Sequence, residues 1–295
     1  MIDLVASPDQ QTQQNGRSAA SAAGLDAALI AAAASLPASC VEVVDSIDST
    51  NKELMRRQAD PPGPGVAHAV HVLLAVQQVA GRGRRGRSFV SDPLDSLTFS
   101  VAIDHRRGAQ TPALVGLPLA LGVAVARTAS AWVPGIGLKW PNDLLRNGRK
   151  CAGMLVETRL SGEHERIVIG LGVNLRLPDA LARAIDQPAC GLFEPGAAMP
   201  PREELAGRLA RALIDAAERF LAAGFSDTAV QWAPFDVLAG REVTILEDGR
   251  AKLAGRADGL DPTGALRLRT SGGVVAVAVG DVSARLSDLA GATES

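Results

Sequence analysis

Aromatic side chains are scarce, at 3% of 295 residues, and cysteine is scarcer: Cys40, Cys151 and Cys190 are widely spaced, with no C-x-x-C pair. An odd, dispersed set of three indicates neither a disulfide framework nor a cysteine-based zinc site, and a reducing cytoplasm is the expected compartment. A global basic excess is missing as well. The formal net charge is −2, unlike that of most nucleic-acid binders. The uncharged stretch Gln110 to Ala126 contains Pro112 and Pro118 and falls short of the ~20 apolar residues of a spanning helix. The N-terminal MIDLVASPDQQTQQNGRS lacks both a positive n-region and an apolar h-region, which argues against a secretory signal. These absences predict a soluble protein, and 47% hydrophobic residues over this length suffice for a sizeable core.

What is present divides the chain into three parts. Residues 1–40 are rich in Gln, Ser and Ala and read as a tail or a peripheral helix, with a short Ala-rich helix at Gly24 to Ser35. Residues 41–237 alternate strand and helix signals. Thr50 and Glu53 stand at capping-box spacing, which puts Ser49 and Thr50 at the positive end of a helix. AVHVLLAV (69–76) and SLTFSVAI (96–103) are short and bounded by turn signals, as buried strands are. TPALVGLPLALGVAVARTASAWV reads as a buried helix with Thr111 as cap, in which Pro118 is an awkward guest. KCAGMLVETRL and ERIVIGLGVNL read as a hairpin joined by SGEHE, and residues 200–224 as an amphipathic helix with Leu205, Leu209, Leu213 and Phe220 on one face. From about residue 238 to 290, short strands punctuated by EDG, DPTG and SGG predict a small all-β barrel.

The densest local feature is GRGRRGR (81–87), in which Arg82, Arg84, Arg85 and Arg87 alternate with glycines after a strand. Arginine matches phosphate and carboxylate oxygens two at a time, and glycine admits close backbone approach. Taken alone, the stretch fits a solvated surface loop equally well. It matches G-x-G-x-x-G literally, but no helix follows, so a dinucleotide fold is disfavoured, and it is too short for an RGG-type nucleic-acid segment. LKWPNDLL places Lys139 at a strand end before a turn that exposes Asn142 and Asp143 side by side, which alone is ordinary turn chemistry. RKCAGMLVE sets Lys150 beside the small Ala152–Gly153 pair, which leaves room for a ligand against the backbone.

SIDSTN, GRGRRGR, KWPNDLL, RKCAGMLVE and IVIGLGVNL, in this order and spacing, resemble the biotin protein ligases, also called biotin–[acetyl-CoA-carboxylase] ligases, over about residues 41–286. The resemblance implies an α+β fold: a class II aminoacyl-tRNA-synthetase-like, biotin-lipoate ligase catalytic domain with a mixed sheet and flanking helices, plus a small SH3-like β-barrel. It implies activation of biotin by ATP and Mg2+ to biotinyl-5′-AMP, then transfer to one lysine of a biotin carboxyl carrier protein, with no tightly bound prosthetic group. By motif, Ser49, Thr50, Gln78 and Gly81 would face the ureido end of biotin. Arg82, Arg84 and Lys150, beside Gly153, would serve the carboxylate and phosphate as catalytic residues. Arg85, Arg87, Phe89, Lys139, Asn142, Asp143 and Asn174 would serve ATP, with Asp143 on the magnesium side. Where relatives commonly have Trp, Phe89 stands, with a smaller face for adenine.

The glycines of the loop permit movement, and its arginines are expected to order on an anionic ligand. Some family members carry an N-terminal helix-turn-helix. Only about 40 Gln/Ser/Ala-rich residues precede the motifs here, so a ligase without DNA binding and without membrane association is expected, as monomer or as weak homodimer through a sheet edge. Two alternatives stay open: a lipoate or octanoate protein ligase of the same fold, and a non-enzymatic Arg-loop binding or repressor protein.

Overall fold

The computed structural model describes residues 24–58, 68–83, 86, 89, 91–178, 182, 187–247, 250–278 and 282–286. Helix α1 (Ala27–Ala34) leads into β1 (Val41–Ile47), α2 (Thr50–Arg56), β2 (His68–Gln78) and β3 (Ser96–Arg106). Then come α3 (Leu117–Ser130), β4 (Ile136–Lys139), β5 (Asp143–Arg146), β6 (Arg149–Ser161) and β7 (His164–Asn174). Helices α4 (Arg202–Ala223) and α5 (Thr228–Trp232) precede β8 (Glu242–Glu247), β9 (Arg250–Leu260), β10 (Leu266–Thr270), β11 (Gly273–Val277) and β12 (Val282–Leu286).

Seven strands form one mixed sheet in the order β1-β2-β3-β7-β6-β5-β4, where β1 runs parallel to β2 and every other neighbour is antiparallel. Because side chains alternate along a strand, the register sorts the sequence onto two faces. One face carries Val72, Leu74, Phe99, Val101, Ile103, Ile167, Ile169, Leu171 and Val173, all buried in the main core with residues of α1, α3 and α4. The other carries Ala75, Thr98, Ser100, Gly170, Gly172 and Gly153, and is covered in part by the short helix α2. A helix-packed face and a face paved with small and hydroxyl residues follow from the same strands.

Several expectations need local correction. The cap of α2 is Ser49, whose Oγ accepts from the Lys52 N–H at 3.4 Å, so Thr50 is the first helical residue. Helix α3 starts at Leu117 after a 3-10 turn at Leu114–Gly116, and Thr111 does not cap it. Pro118 therefore lies in the first turn, where no N–H is required, and the misfit expected of it disappears. The hairpin between β6 and β7 turns on Gly162 and Glu163 alone, with Gly162 at φ +60°, and Asp143 belongs to β5 rather than to the preceding turn. The α4 stripe holds: Leu205, Leu209, Leu213 and Phe220 are buried.

The five C-terminal strands make an antiparallel sheet in the order β11-β10-β9-β8-β12. Its inner residues Val243, Ile245, Leu266 and Leu268 belong to the same hydrophobic cluster as the seven-stranded sheet. A polar link also joins the units: the Trp140 indole Nε1–H donates to the Gly264 carbonyl at 3.2 Å.

Helix α1 lies so close to α4 that a Cβ on Gly207 would meet Ala33 Cβ at 2.5 Å and the Ile30 carbonyl oxygen at 2.6 Å. Backbone cannot yield there as a side-chain tip can. Gly207→Val is expected to destabilise the fold by about 1–3 kcal/mol through overpacking, read from the urea midpoint at unchanged slope.

Candidate active site

The open face is organised by lateral rows. Antiparallel pairing sets Ala75, Thr98, Gly172, Gly153, Asp143 and Lys139 side by side across β2, β3, β7, β6, β5 and β4. Glycines at the centre leave a floor, with polar groups at both sides.

Lys150 reaches this floor by an irregularity of register. Leu144 pairs with Ala152, but Leu145 pairs with Lys150, so Cys151 is an extra residue in β6. A regular strand would put Lys150 on the side of Ala152 and Met154, in the core. The bulge turns it onto the face of Gly153 and Asp143 instead. Its Nζ lies 2.6 Å from Asp143 Oδ1, and a Cβ on Gly153 would stand 3.3 Å from that Nζ. Both partners are partly sheltered, with 24% and 17% of the side chains exposed. Among the described residues the ammonium has one charge-assisted contact, to Asp143, which leaves donors for an anion.

On the other side of the floor a hydrogen-bonded chain runs from strand to helix. Gln78 Oε1 accepts from the Thr50 N–H at 2.8 Å and lies 3.3 Å from the Thr50 hydroxyl. Thr50 Oγ1 lies 2.7 Å from Ser100 Oγ, and Ser100 donates to Asn51 Oδ1 at 2.5 Å. Asn51 Nδ2 donates to Glu157 Oε2 at 2.9 Å. Gly170 permits this arrangement, since a Cβ there would strike Asn51 Oδ1 at 2.2 Å. Asn51, Ser100 and Glu157 were not among the expected site residues. Asn51 lies inside the STN stretch that carried the signal, whereas the Ser100 hydroxyl is hidden in an apolar strand.

Helix α2 is anchored at its far end by Arg166, which makes a bidentate pair with Asp104 at 2.7 and 2.6 Å and donates to the carbonyls of Leu54, Arg57 and Gln58. Those bonds satisfy the free carbonyl end of α2 and so fix Ser49 to Asn51 at its N-terminus.

The ends of the arginine loop are tied together, because the Phe89 N–H donates to the Gly81 carbonyl at 2.9 Å. The Phe89 ring lies on the glycine floor, where a Cβ on Gly172 would meet ring carbons at 2.6–2.9 Å. Arg82 is exposed at the start of the loop. Arg84, Arg85 and Arg87 lie outside the described residues, and with them the expectation that the arginines order on an anion. Lys139 ends β4 beside Asp143, and Asn142 Nδ2 donates to the Met154 carbonyl at 2.6 Å. Asn174 is buried at the end of β7, with its carbonyl accepting from the Leu192 N–H at 2.7 Å. Ser49, Thr50, Gln78, Gly81, Phe89, Lys139, Asn142, Asp143, Lys150, Gly153 and Asn174 thus all lie on or beside one face of the sheet. Cys151 and Cys190 are buried, which pushes both thiols up and leaves them protonated at neutral pH.

Asn51→Leu leaves the Ser100 hydroxyl and the Glu157 carboxylate each short of a partner. A loss of about 1–3 kcal/mol in unfolding free energy is expected by urea denaturation, and an unchanged midpoint would contradict the chain of bonds.

Residues 43–174 match the Biotin/lipoate A/B protein ligase family, and residues 239–285 match the Biotin protein ligase C terminal domain. The chain is 34% identical to the biotin–[acetyl-CoA-carboxylase] ligase of Paracoccus denitrificans, over 77% of its own length and 92% of the relative. It is 32% identical to the biotin–[acetyl-CoA-carboxylase] ligase of Mycobacterium tuberculosis, over 82% and 88%. It is also 32% identical to the bifunctional ligase/repressor BirA of Escherichia coli, over 84% and 75%. The biotin protein ligase from Aquifex aeolicus in complex with biotin and ATP superposes with a TM-score of 0.68 at 25% identity, covering 84% of this chain and 99% of that one. With the catalytic and C-terminal regions both matched and the motif residues gathered on one face, the chain belongs to the biotin protein ligase family.

Proposed function

We propose that this chain is an ATP-dependent biotin protein ligase. In the first step a biotin carboxylate oxygen attacks the α-phosphorus of ATP, pyrophosphate leaves, and biotinyl-5′-AMP forms. In the second, the amine of one lysine on a biotin carboxyl carrier protein attacks the acyl carbon, AMP leaves, and an amide forms. Both reactants of the first step are anions, so the site must neutralise them without flooding them with water.

The observation that carries the reading is the Lys150 ammonium above the Gly153 floor, across the sheet from the Thr50–Gln78–Ser100 chain. Strands β3 and β6 are two spacings apart, about 10 Å, which suits an elongated ligand with a polar group at each end. Donor–acceptor pairs such as Thr50 and Ser100 match a neutral ureido group, which both donates and accepts. Lys150 matches the carboxylate, and then the charge that builds at the acyl–phosphate junction. Ligand binding would draw Lys150 from Asp143 and release that carboxylate to magnesium carried in with ATP.

Arg82 and Arg84 are assigned to the carboxylate and phosphate, Arg85, Arg87 and Lys139 to the phosphates, Asn142 and Asn174 to the nucleotide, and Phe89 to the adenine. Ser49 and Gly81 border the ureido end. The acceptor class follows the relatives named for acetyl-CoA carboxylase. Among the described residues no helix is long and apolar enough to cross a membrane. Lipoate is the second candidate substrate, because the matched family includes lipoate ligases.

Purified chain given ATP and biotin is expected to release pyrophosphate and to accumulate biotinyl-5′-AMP, while lipoate gives neither. Lipoate-dependent adenylation in the absence of biotin turnover would overturn the substrate assignment. Lys150→Ala is expected to slow adenylation by about 10²–10³-fold, and near-normal turnover would remove its role. Arg84→Ala is expected to speed release of the adenylate from the enzyme, measured by its dissociation rate, since an unclamped anhydride escapes before transfer.

A further inference from the structure

Lys150 and Asn174 come from different strands, yet one extended segment holds the backbone of both. Strand β7 ends at Asn174, so the edge of β6 at Lys150 has no β7 partner. The stretch Pro188–Glu194 fills that place. The Lys150 N–H donates to the Pro188 carbonyl and the Cys190 N–H donates to the Lys150 carbonyl, both at 2.9 Å, as a parallel bridge centred on Ala189. Two residues further on, the Leu192 N–H donates to the Asn174 carbonyl at 2.7 Å and the Phe193 N–H to the Leu175 carbonyl at 2.9 Å.

The segment is itself pinned from below. The Cys190 thiol reaches the carbonyls of Arg146 at 3.6 Å and Arg149 at 3.5 Å, the two ends of the β5–β6 turn. Arg146, buried, sends Nη1 to the Gly191 carbonyl at 3.4 Å and Nη2 to Glu194 at 2.6 Å. Gly191 has no room for a side chain, since a Cβ would stand 2.7 Å from Arg176 Cα and 2.9 Å from the Phe193 carbonyl oxygen. The Lys150 bulge is therefore bounded on one side by β5 and on the other by this strap. A bulge costs ladder bonds and persists only when its surroundings fix it.

We infer that Pro188–Glu194 is a strap that holds Lys150 in its bulged, site-facing register, with Cys190 as its principal positioning residue. The inference rests on the assignment of Lys150 to the biotin carboxylate. Cys190 touches no reacting atom. It acts because its S–H ties the strap to the turn that launches Lys150, so losing that bond lets the ammonium drift from the place where the carboxylate binds. The free thiol serves as a donor buried too deeply to act as a nucleophile.

The test is a double-mutant cycle on biotin affinity, measured by calorimetry with biotin alone on the full chain. Cys190→Ala is expected to weaken biotin about tenfold, the lower end of what lost supporting hydrogen bonds cost a bound group. Cys190→Ser, which keeps a donor, is expected to return to within about threefold. In a Lys150→Ala background, Cys190→Ala is expected to change affinity less than twofold, because its effect passes through the lost ammonium. Glu194→Ala, at an exposed position that frees Arg146 without opening the core, repeats the pattern with a smaller loss, even where Cys190→Ala folds poorly. Equal losses in both backgrounds, or no loss from either strap variant while Lys150→Ala weakens biotin, overturn the strap. Unchanged affinity in Lys150→Ala alone removes the carboxylate assignment and the strap with it.

Discussion

One extra residue in β6 decides which face of the sheet carries Lys150. The bulge at Cys151 changes which side of the sheet Lys150 faces, and a lysine on the opposite side would be an ammonium in a hydrophobic core. Burial there would cost several kcal/mol unless the group lost its proton. The chain resolves this by giving the core side of the bulge to Cys151, a small and apolar thiol that donates weakly to the Leu144 carbonyl, and the open side to Lys150. Asp143 receives the ammonium, and Gly153 leaves the space it crosses.

The rest of the structure keeps that placement useful. A sheet packed by three helices on one face supplies rigidity, so the other face can afford glycines that weaken strands locally. Helix α2 brings Thr50 and Asn51 over this floor and is locked there by Arg166 from below its C-terminal end. Polar groups at the two sides of the floor are thus each built from distant parts of the chain. The ends of the loop are tied by the Gly81–Phe89 bond, and the Phe89 ring lies on the glycine floor against Gly172.

Much of the frame was legible in the sequence. AVHVLLAV and SLTFSVAI announce β2 and β3, and the hairpin of β6 and β7 follows from two alternating runs around a glycine turn. The resemblance of five ordered motifs pointed to the face where these residues meet. Three features were hidden for physical reasons. A bulge depends on pairing across strands, so RKCAGMLVE shows a lysine near glycine but not which way it points. Ser100 sits amid LTFSVAI, where a serine looks like a tolerated core residue until Thr50 and Asn51 arrive from another element. The strap PACGLFE has no periodicity, and only its backbone contacts give it meaning. The start of α3 was misjudged because Thr111-Pro112 imitates a helix entry, while Pro118 marks the real one.

The most direct measurement is a crystal structure of the chain with a non-hydrolysable biotinyl-adenylate analogue. The account predicts Lys150 Nζ within about 3 Å of an acyl or phosphoryl oxygen, its contact with Asp143 lengthened, and the ureido group bonded to the Thr50–Ser100 side. An analogue bound elsewhere on the molecule, or bound here with Lys150 still paired to Asp143 and distant from every ligand oxygen, would contradict it.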